Sequence, residues 1–186
     1  MKSMITAMFT VFSDFSTGNG SDATLKGKEN PQNEIQTEFI FEAKVTIDNT
    51  LVIGPSGRGR TQLVPITGGT FEGPRIKGTV VPGGADWQWI RPDGVMMIEA
   101  RYTIKTDDGA LISVFNSGMA HAIKNDEDKP KLGKSNRSSS FYARTVPCFD
   151  APIGPYDWLN KSIFVGTLAV GPPSEKYVIV RVYRVF

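Results

Sequence analysis

The sequence predicts an all-β protein: a single closed antiparallel β-barrel of about 8 to 10 strands with a small-molecule-sized lumen, plus an N-terminal arm. Its 19 Gly and 12 Pro are spread along the whole chain. Between them lie runs of Val, Ile, Thr and aromatic residues, typical of short strands joined by turns. Only Tyr156 to Asn160 shows a helical apolar period, so βαβ crossovers are not expected. An antiparallel barrel closes its own edges.

Composition divides the chain into an N-terminal arm and a barrel domain. Residues 1–33 form an N-terminal apolar segment followed by a polar linker, and residues 34–186 form the barrel domain, with a polar loop insertion at 124–140. The apolar segment faintly resembles a signal peptide but lacks a cleavage site, so we expect a cytoplasmic protein, with secretion as the lesser alternative. No run of 18 apolar residues exists, so no membrane span is predicted.

Ten runs combine β-branched or aromatic residues with a bounding turn. In chain order they are Phe39–Ile47, Thr50–Ile53, Gly59–Ile66, Thr70–Val81, Asp86–Arg91, Val95–Lys105, Ala110–Asn116, Phe141–Pro147, Ser162–Val170 and Tyr177–Phe186. The clearest turns are Pro92-Asp93-Gly94 and Asp107-Asp108-Gly109, because Asp-Gly tolerates the positive φ of tight hairpins. They flank one long strand and predict a meander.

The side chains of that long strand alternate between two faces. Met96, Ile98, Ala100, Tyr102 and Ile104 share one face, and Glu99 and Arg101 lie with Met97 on the other. Two arrangements remain open. In a solidly packed barrel the apolar face is inside, whereas in a ligand-holding barrel the face with Glu99 and Arg101 lines the lumen.

Composition excludes several kinds of chemistry. Lys plus Arg total 21 and Asp plus Glu 19, a net charge of +2 without a basic cluster, so a nucleic-acid binder is not expected. The single cysteine, Cys148, forms no internal disulfide, and the single histidine, His121, excludes multi-His metal sites. We predict no metal and no cofactor. Any catalysis then falls to carboxylates, tyrosines and arginines.

The first catalytic candidate is Asp86, which lies between a Pro-Gly-Gly turn and two indoles, Trp87 and Trp89. A carboxyl group against tryptophan in a partly dry site has a raised pKa and can shuttle protons near neutral pH. The alternative is that Asp86 binds turn amides.

Two further pairs share a spacing of two residues and therefore one face each. Glu99 and Arg101 suit proton transfer and the binding of an oxygen that gains charge, and Tyr142 and Arg144 repeat this arrangement on another strand. A surface ion pair is the alternative for Glu99 and Arg101.

Four more residues are candidate substrate contacts beside Trp87 and Trp89. They are Met97, His121, Trp158 and Asn160. A solvated loop position is the alternative for His121, and packing at a barrel end is the alternative for the aromatic segment around Trp158.

Several of these segments together resemble one family, the DUF3237 or UPF0311 proteins. The matching stretches are Gly57–Arg60, Val64–Pro74, Pro82–Gln88, Arg91–Gly94, Ala100–Tyr102, Thr106–Gly109, Tyr142–Thr145 and Tyr156–Asn160. The resemblance runs from about Glu38 to the C-terminus and implies a closed barrel of the lipocalin-like or allene-oxide-cyclase-like kind. The N-terminal arm and the enlarged loop after His121 depart from the family.

Barrels of this kind include cofactor-free cyclases and isomerases, by analogy of fold. The sequence therefore favours a cofactor-independent isomerase or cyclase that acts on a hydrophobic oxygenated small molecule of secondary-metabolite type. A non-catalytic carrier using the same lumen, and a structural role for a solid barrel, are the alternatives. A homodimer is expected if the outer strands stay apolar and exposed.

Overall fold

The computed structural model describes residues 34–123, 141–172 and 174–186. The predicted N-terminal arm at 1–33 and the predicted loop insertion at 124–140 lie outside the described residues. Within them the chain is built almost wholly of strands: β1 (Thr37–Ile47), β2 (Leu51–Ser56), β3 (Gly59–Glu72), β4 (Lys77–Ile90), β5 (Met96–Thr106), β6 (Leu111–Ala122), β7 (Phe141–Asp150), β8 (Ile163–Val170) and β9 (Tyr177–Val185). A 3-10 helix, Asp157–Lys161, joins β7 to β8.

Eight antiparallel strands close the predicted barrel, and one strand is extra. The sheet order is β1-β9-β8-β7-β6-β5-β4-β3-β2, and a further pairing of β1 with β3 closes the ring. Strand β2 follows β1 along the same edge of β3: Ile47 pairs with Ile66 and Leu51 with Leu63. The prediction of an antiparallel barrel of 8 to 10 strands is confirmed.

The strand boundaries around β3 and β4 differ from the prediction. The predicted run Thr70–Val81 contains the real turn at residues 73–76, whereas the predicted breaks at Gly68-Gly69 and Pro82-Gly83-Gly84 lie inside strands of 14 residues each. Both places are register shifts, where the strand carries extra residues opposite its partner. Glycine at positive φ permits such bulges, so these glycines bend strands without ending them.

The apolar face of β5 points inward, which settles the choice that the alternation left open. Ile98, Ala100, Tyr102 and Ile104 are buried, whereas Arg101 is exposed. Most of the interior belongs to one apolar cluster that includes Phe41, Phe71, Ile104, Ile112 and Phe164.

We name the two ends of the barrel by their connections. The upper end carries the turn 91–95 and the segment 171–176, and the lower end carries the turn 107–110 and the segment 151–162. At the lower end the 3-10 helix buries Leu159 in the main cluster. Across the described residues, no helix is long and apolar enough to cross a membrane.

Candidate functional site

A row of paired residues carries a carboxylate into the barrel interior. Asp86 of β4 pairs with Val64 of β3 and with Ala100 of β5, and Ala100 pairs with Asn116 of β6. Directly paired residues of antiparallel strands point to the same side of a sheet. Because Val64, Ala100 and Asn116 are buried inside, Asp86 faces the interior as well.

One side-chain amide and one backbone N–H donate to the Asp86 carboxylate, and a second amide donates to the first. The Gln88 amide Nε2 donates to Asp86 Oδ2 at 2.6 Å, and the Glu99 backbone N–H donates to Oδ1 at 3.1 Å. The Gln62 amide Nε2 in turn donates to Gln88 Oε1 at 2.7 Å. This chain of amides fixes the carboxylate in position while it remains on the inner wall.

The environment of Asp86 raises the pKa of its carboxyl group to about 6. Burial is the largest cause, and the charge of Glu99 acts in the same direction, against the hydrogen bonds from Gln88 and from the Glu99 backbone. A group with this pKa exchanges protons readily near neutral pH, as a general base or acid must. Burial, and then the charge of Asp86, also raise the pKa of the Tyr102 hydroxyl, so this phenol stays protonated.

Two further polar side chains are buried in the barrel, and the sequence analysis missed both. Asn116 of β6 and Thr145 of β7 are 3% and 2% exposed. Asn116 continues the inward series Ile112 and Val114, so alternation places it on the same face as these two residues. Alternation alone did not show which face of these strands points inward, so Asn116 could not be assigned to the interior.

The polar groups lie between two apolar clusters, and Leu168 packs against both of them. The main cluster fills the lower part, and a small cluster of Ile98, Ala120 and Ala143, packed against Met96 and Leu168, lies towards the upper end. At the upper end, Ala120 and Ala143 are buried, whereas the inward residues of β3, β4 and the start of β5 are half-buried: Gln62, Asp86, Gln88, Ile90 and Met96. The polar interior is therefore more accessible from the upper end than from the lower one.

Four of the five predicted catalytic residues lie on the outer face of the barrel. Glu99 pairs with Trp87 and Ser117, and Arg101 with Ala85 and Phe115, all on the face opposite to Ala100. The exposed Arg144 pairs with Met119 on the outside, and Tyr142 lies two residues away on the same face. Strand alternation thus brings only Asp86 of this group to the interior, because the other four have the outward parity.

The predicted contacts on β4, β5 and β6 also face outward. Trp87 is 44% exposed, and Trp89 pairs with Met97 and lies under the Arg58 guanidinium, 5.3 Å from the ring centre. His121 stacks on Tyr142 with ring centres 4.9 Å apart. These side chains form an aromatic outer surface and do not line the barrel interior.

Trp158 and Asn160 lie at the lower end, away from Asp86. Trp158 packs against Phe164 and under Arg75. The Asn160 amide accepts from the Ala151 N–H and donates to the Ala151 carbonyl, both at 2.8 Å. Both residues close the lower end and hold the segment that follows β7.

An open groove of about 340 Å³ lies beside the bulge of β4. It is lined by Val81, Pro82, Gly83, Gly84, Arg101, Tyr102, Thr103 and Ser113. The bulge opens it by displacing Pro82 and Gly83 from regular pairing with β5. Residues 34–123, 141–172 and 174–186 contain no group of three or more His, Cys, Asp or Glu side chains arranged for an ion.

Similarity to known proteins covers nearly the whole described barrel. A UPF0311 protein of Clostridium acetobutylicum is 34% identical over 153 residues, which cover 82% of this chain and 95% of that protein. The hydroalkoxylation enzyme phnH of Penicillium herquei is 36% identical over 137 residues, 74% of each chain. A crystal structure of a β-barrel-like protein of Acinetobacter baumannii is similar with a TM-score of 0.72 and 32% identity, covering 86% of this chain and 100% of that one.

The family comparison agrees with the resemblance noted in the sequence. The family model described as "Protein of unknown function (DUF3237)" matches residues 35–185, the whole of the described barrel apart from its first and last residues. The predicted membership is thereby confirmed, and the chain belongs to the DUF3237 family.

Proposed function

We propose that this protein is a cofactor-independent acid–base enzyme that cyclises or isomerises a hydrophobic oxygenated small molecule inside the barrel. One observation carries the proposal: the Asp86 carboxyl group is fixed on the inner wall with a pKa of about 6. At neutral pH most of this group is ionised, and it accepts a proton in a site that neighbouring apolar side chains keep partly dry.

The similarity to a hydroalkoxylation enzyme supports this reaction class. Hydroalkoxylation adds an O–H group across a carbon–carbon double bond, and within one molecule it forms a cyclic ether with the same atoms. One proton leaves oxygen and one reaches carbon, so no electrons are exchanged and a single carboxylate is sufficient to carry the proton. The predicted cyclase or isomerase chemistry is the intramolecular form of this addition.

The step that we propose uses an alkene conjugated to a carbonyl group. Asp86 takes the proton of a phenol or alcohol, the oxygen bonds to the β-carbon, and the proton returns from Asp86 to the α-carbon. The Gln88 and Glu99 N–H groups hold the carboxylate oxygens in place. The protonated Tyr102 hydroxyl, electrostatically coupled to Asp86, is the group suited to stabilise negative charge on the carbonyl oxygen.

A carrier that binds the same kind of molecule without changing it is the second candidate. It is favoured by the two apolar clusters that flank the polar interior, because apolar contacts give affinity without requiring proton transfer. The two candidates differ in whether the protein converts the bound molecule, and only the enzyme requires Asp86 for that conversion.

The test uses 2′-hydroxychalcone, a neutral phenol with a conjugated alkene that closes to a flavanone without change of mass. We expect the wild-type protein to accelerate ring closure, which is measured as the loss of chalcone absorbance. Asp86→Asn should reduce the rate at least ~100-fold, the usual contribution of a general base. The value of kcat/KM should fall as the pH drops below about 6, because protonated Asp86 cannot accept a proton.

The matched control is Asp150→Asn, which removes an exposed carboxylate at the end of β7. Its rate should equal that of the wild type. Full activity of Asp86→Asn would contradict the assignment of the base. Binding of the chalcone without any conversion would favour the carrier, and the absence of binding, measured by equilibrium dialysis, would count against both candidates.

A further inference from the structure

Three buried side-chain polar atoms lack a hydrogen-bond partner among the described residues. One is Arg184 Nε on β9, and the other two are Asn116 Oδ1 on β6 and Thr145 Oγ1 on β7. Buried polar groups in folded proteins are nearly always paired, and exceptions call for an explanation such as a bound molecule. Neither of these last two atoms belongs to the hydrogen-bonded chain of Gln62, Gln88 and Asp86.

The strand register places Asn116 across from Asp86. Only Ala100 lies between them, and its small methyl side chain projects little into the barrel at this position. With neighbouring strands about 4.8 Å apart, two strand steps separate the backbones of Asp86 and Asn116 by up to about 10 Å along the wall. An aromatic ring with an oxygen at each side matches this span once a hydrogen bond of about 2.8 Å is allowed at each oxygen.

Thr145 is seated beside Asn116 by two glycines. It pairs with Gly118 of β6 and Gly166 of β8. A Cβ at Gly118 would lie 2.7 Å from the Thr145 methyl group, and a Cβ at Gly166 would lie 2.3 Å from the Thr145 hydroxyl. The two glycines therefore make room for this side chain, which lies one row above Asn116 on the inner wall.

The charge of this region selects against anionic ligands. Asp86 is a carboxylate, and the arginines nearest along β5 and β7, Arg101 and Arg144, are exposed on the outer face. Arg60 of β3 pairs with Ile90 on the inward-facing side of the upper end, and it is exposed at the mouth of the barrel. Deeper in the barrel, a carboxylate or phosphate on the ligand would meet Asp86 without a compensating cation from β5 or β7. A neutral hydroxyl group suits both Asn116 Oδ1, which accepts, and Thr145 Oγ1, which donates or accepts.

We propose that Asn116 and Thr145 form a hydroxyl-binding subsite that holds the second oxygen of a neutral, dihydroxylated substrate. This inference rests on the proposed function, in which Asp86 exchanges the proton of the first oxygen. The subsite orients the ring so that the reacting hydroxyl points to Asp86. It thereby defines the substrate class as neutral polyhydroxylated molecules, and excludes acids and phosphate esters.

The experiment compares three probes that differ at one position. They are 2′,4′-dihydroxychalcone, its 4′-methyl ether and 2′-hydroxychalcone-4′-carboxylate, with Kd measured by quenching of tryptophan fluorescence. The wild type should bind the dihydroxy probe about tenfold more tightly than the methyl ether and the carboxylate. Asn116→Leu and Thr145→Val, which keep side-chain size, should reduce the preference over the methyl ether to within about twofold. Ser117→Ala, on the outward face next to Asn116, should leave it unchanged.

A second measurement tests the same atoms without any ligand. Because Thr145→Val removes an unpaired buried hydroxyl, its Tm should equal or exceed that of the wild type. A marked loss of Tm, or an undiminished preference in both variants, would overturn the proposal, as would equal binding of the three probes by the wild type. Asp86→Asn separates the two proposals: it should lose turnover and keep the preference for the dihydroxy probe over the methyl ether. Turnover that survives in Asp86→Asn, with the preference lost in Thr145→Val, would refute the base and leave the subsite standing.

Discussion

At the scale of single residues, Asp86 is the one predicted catalytic residue that the strand register places on the inner wall. The sequence pointed to it because a carboxylate stands between a Pro-Gly-Gly segment and two tryptophans. The cause of the raised pKa of Asp86 differs in part from the expected one. The indoles of Trp87 and Trp89 point outward, and the inner wall with its apolar neighbours raises the pKa. Asn116 and Thr145 lacked a comparable local signal, because single polar residues in strands are common on outer faces.

Asp86 makes the stability of the protein depend on pH. Its pKa is raised from 3.8 to about 6 on folding, so the unfolded chain releases this proton at lower pH than the folded one. The free energy of unfolding should therefore fall by up to roughly 3 kcal/mol as the pH rises from about 4 to 6, relative to a variant without this group. Urea unfolding of the wild type and of Asp86→Asn at pH 4 to 7 measures the difference. A difference that does not change with pH would show that Asp86 ionises as freely in the fold as in water.

At the scale of elements, composition predicted that the chain forms strands, and the predicted strand boundaries were wrong at the bulges. Gly68-Gly69 and Pro82-Gly83-Gly84 have the residues of turns. Whether such residues end a strand or bend it depends on the partner strands, which are distant in sequence. β3 and β4 pair on both sides of each bulge, and this long-range pairing keeps each strand continuous.

Gly69 tests how far one of these bulges controls barrel closure. It has a φ of +137°, and a Cβ there would lie 2.1 Å from the Lys44 carbonyl oxygen of β1. Gly69→Ala should therefore push β1 away from β3 and reduce the free energy of unfolding by about 2 to 4 kcal/mol. Gly57→Ala is the control, because nothing lies within 4 Å of the added Cβ. Equal urea midpoints for the two variants would contradict this account.

At the scale of the whole molecule, the barrel is asymmetric along its axis. The sequence predicted closure, and alternation alone could not tell which face of β5 lay inside. Burial decided it, because Ile98, Ala100 and Ile104 pack into the interior with strands from both halves of the chain. The lower end is filled by the main cluster and by Leu159, while the inward residues of β3 and β4 at the upper end stay half-buried.

This asymmetry predicts that ligands enter at the upper end. Met96 faces inward there, packed beside the small apolar cluster. Met96→Trp should fill the entrance and weaken binding of 2′-hydroxychalcone at least about tenfold. Met119→Trp adds the same ring on the outer face and should bind as the wild type does. If circular dichroism shows both variants folded and both bind normally, entry occurs elsewhere, for instance through the groove at Pro82 and Gly83.

Strand β2 is an exposed edge strand, and such strands promote aggregation at high protein concentration. Its inner edge pairs with β3, and its outer edge pairs with no other strand of the described residues. Its side chains Leu51, Val52 and Ile53 are exposed and apolar, a combination that invites a strand of another molecule to add on. Pro55 cannot donate a backbone hydrogen bond, and the register shift before Gly54 bends the edge. A proline and a bend on an edge strand both oppose the addition of a further strand.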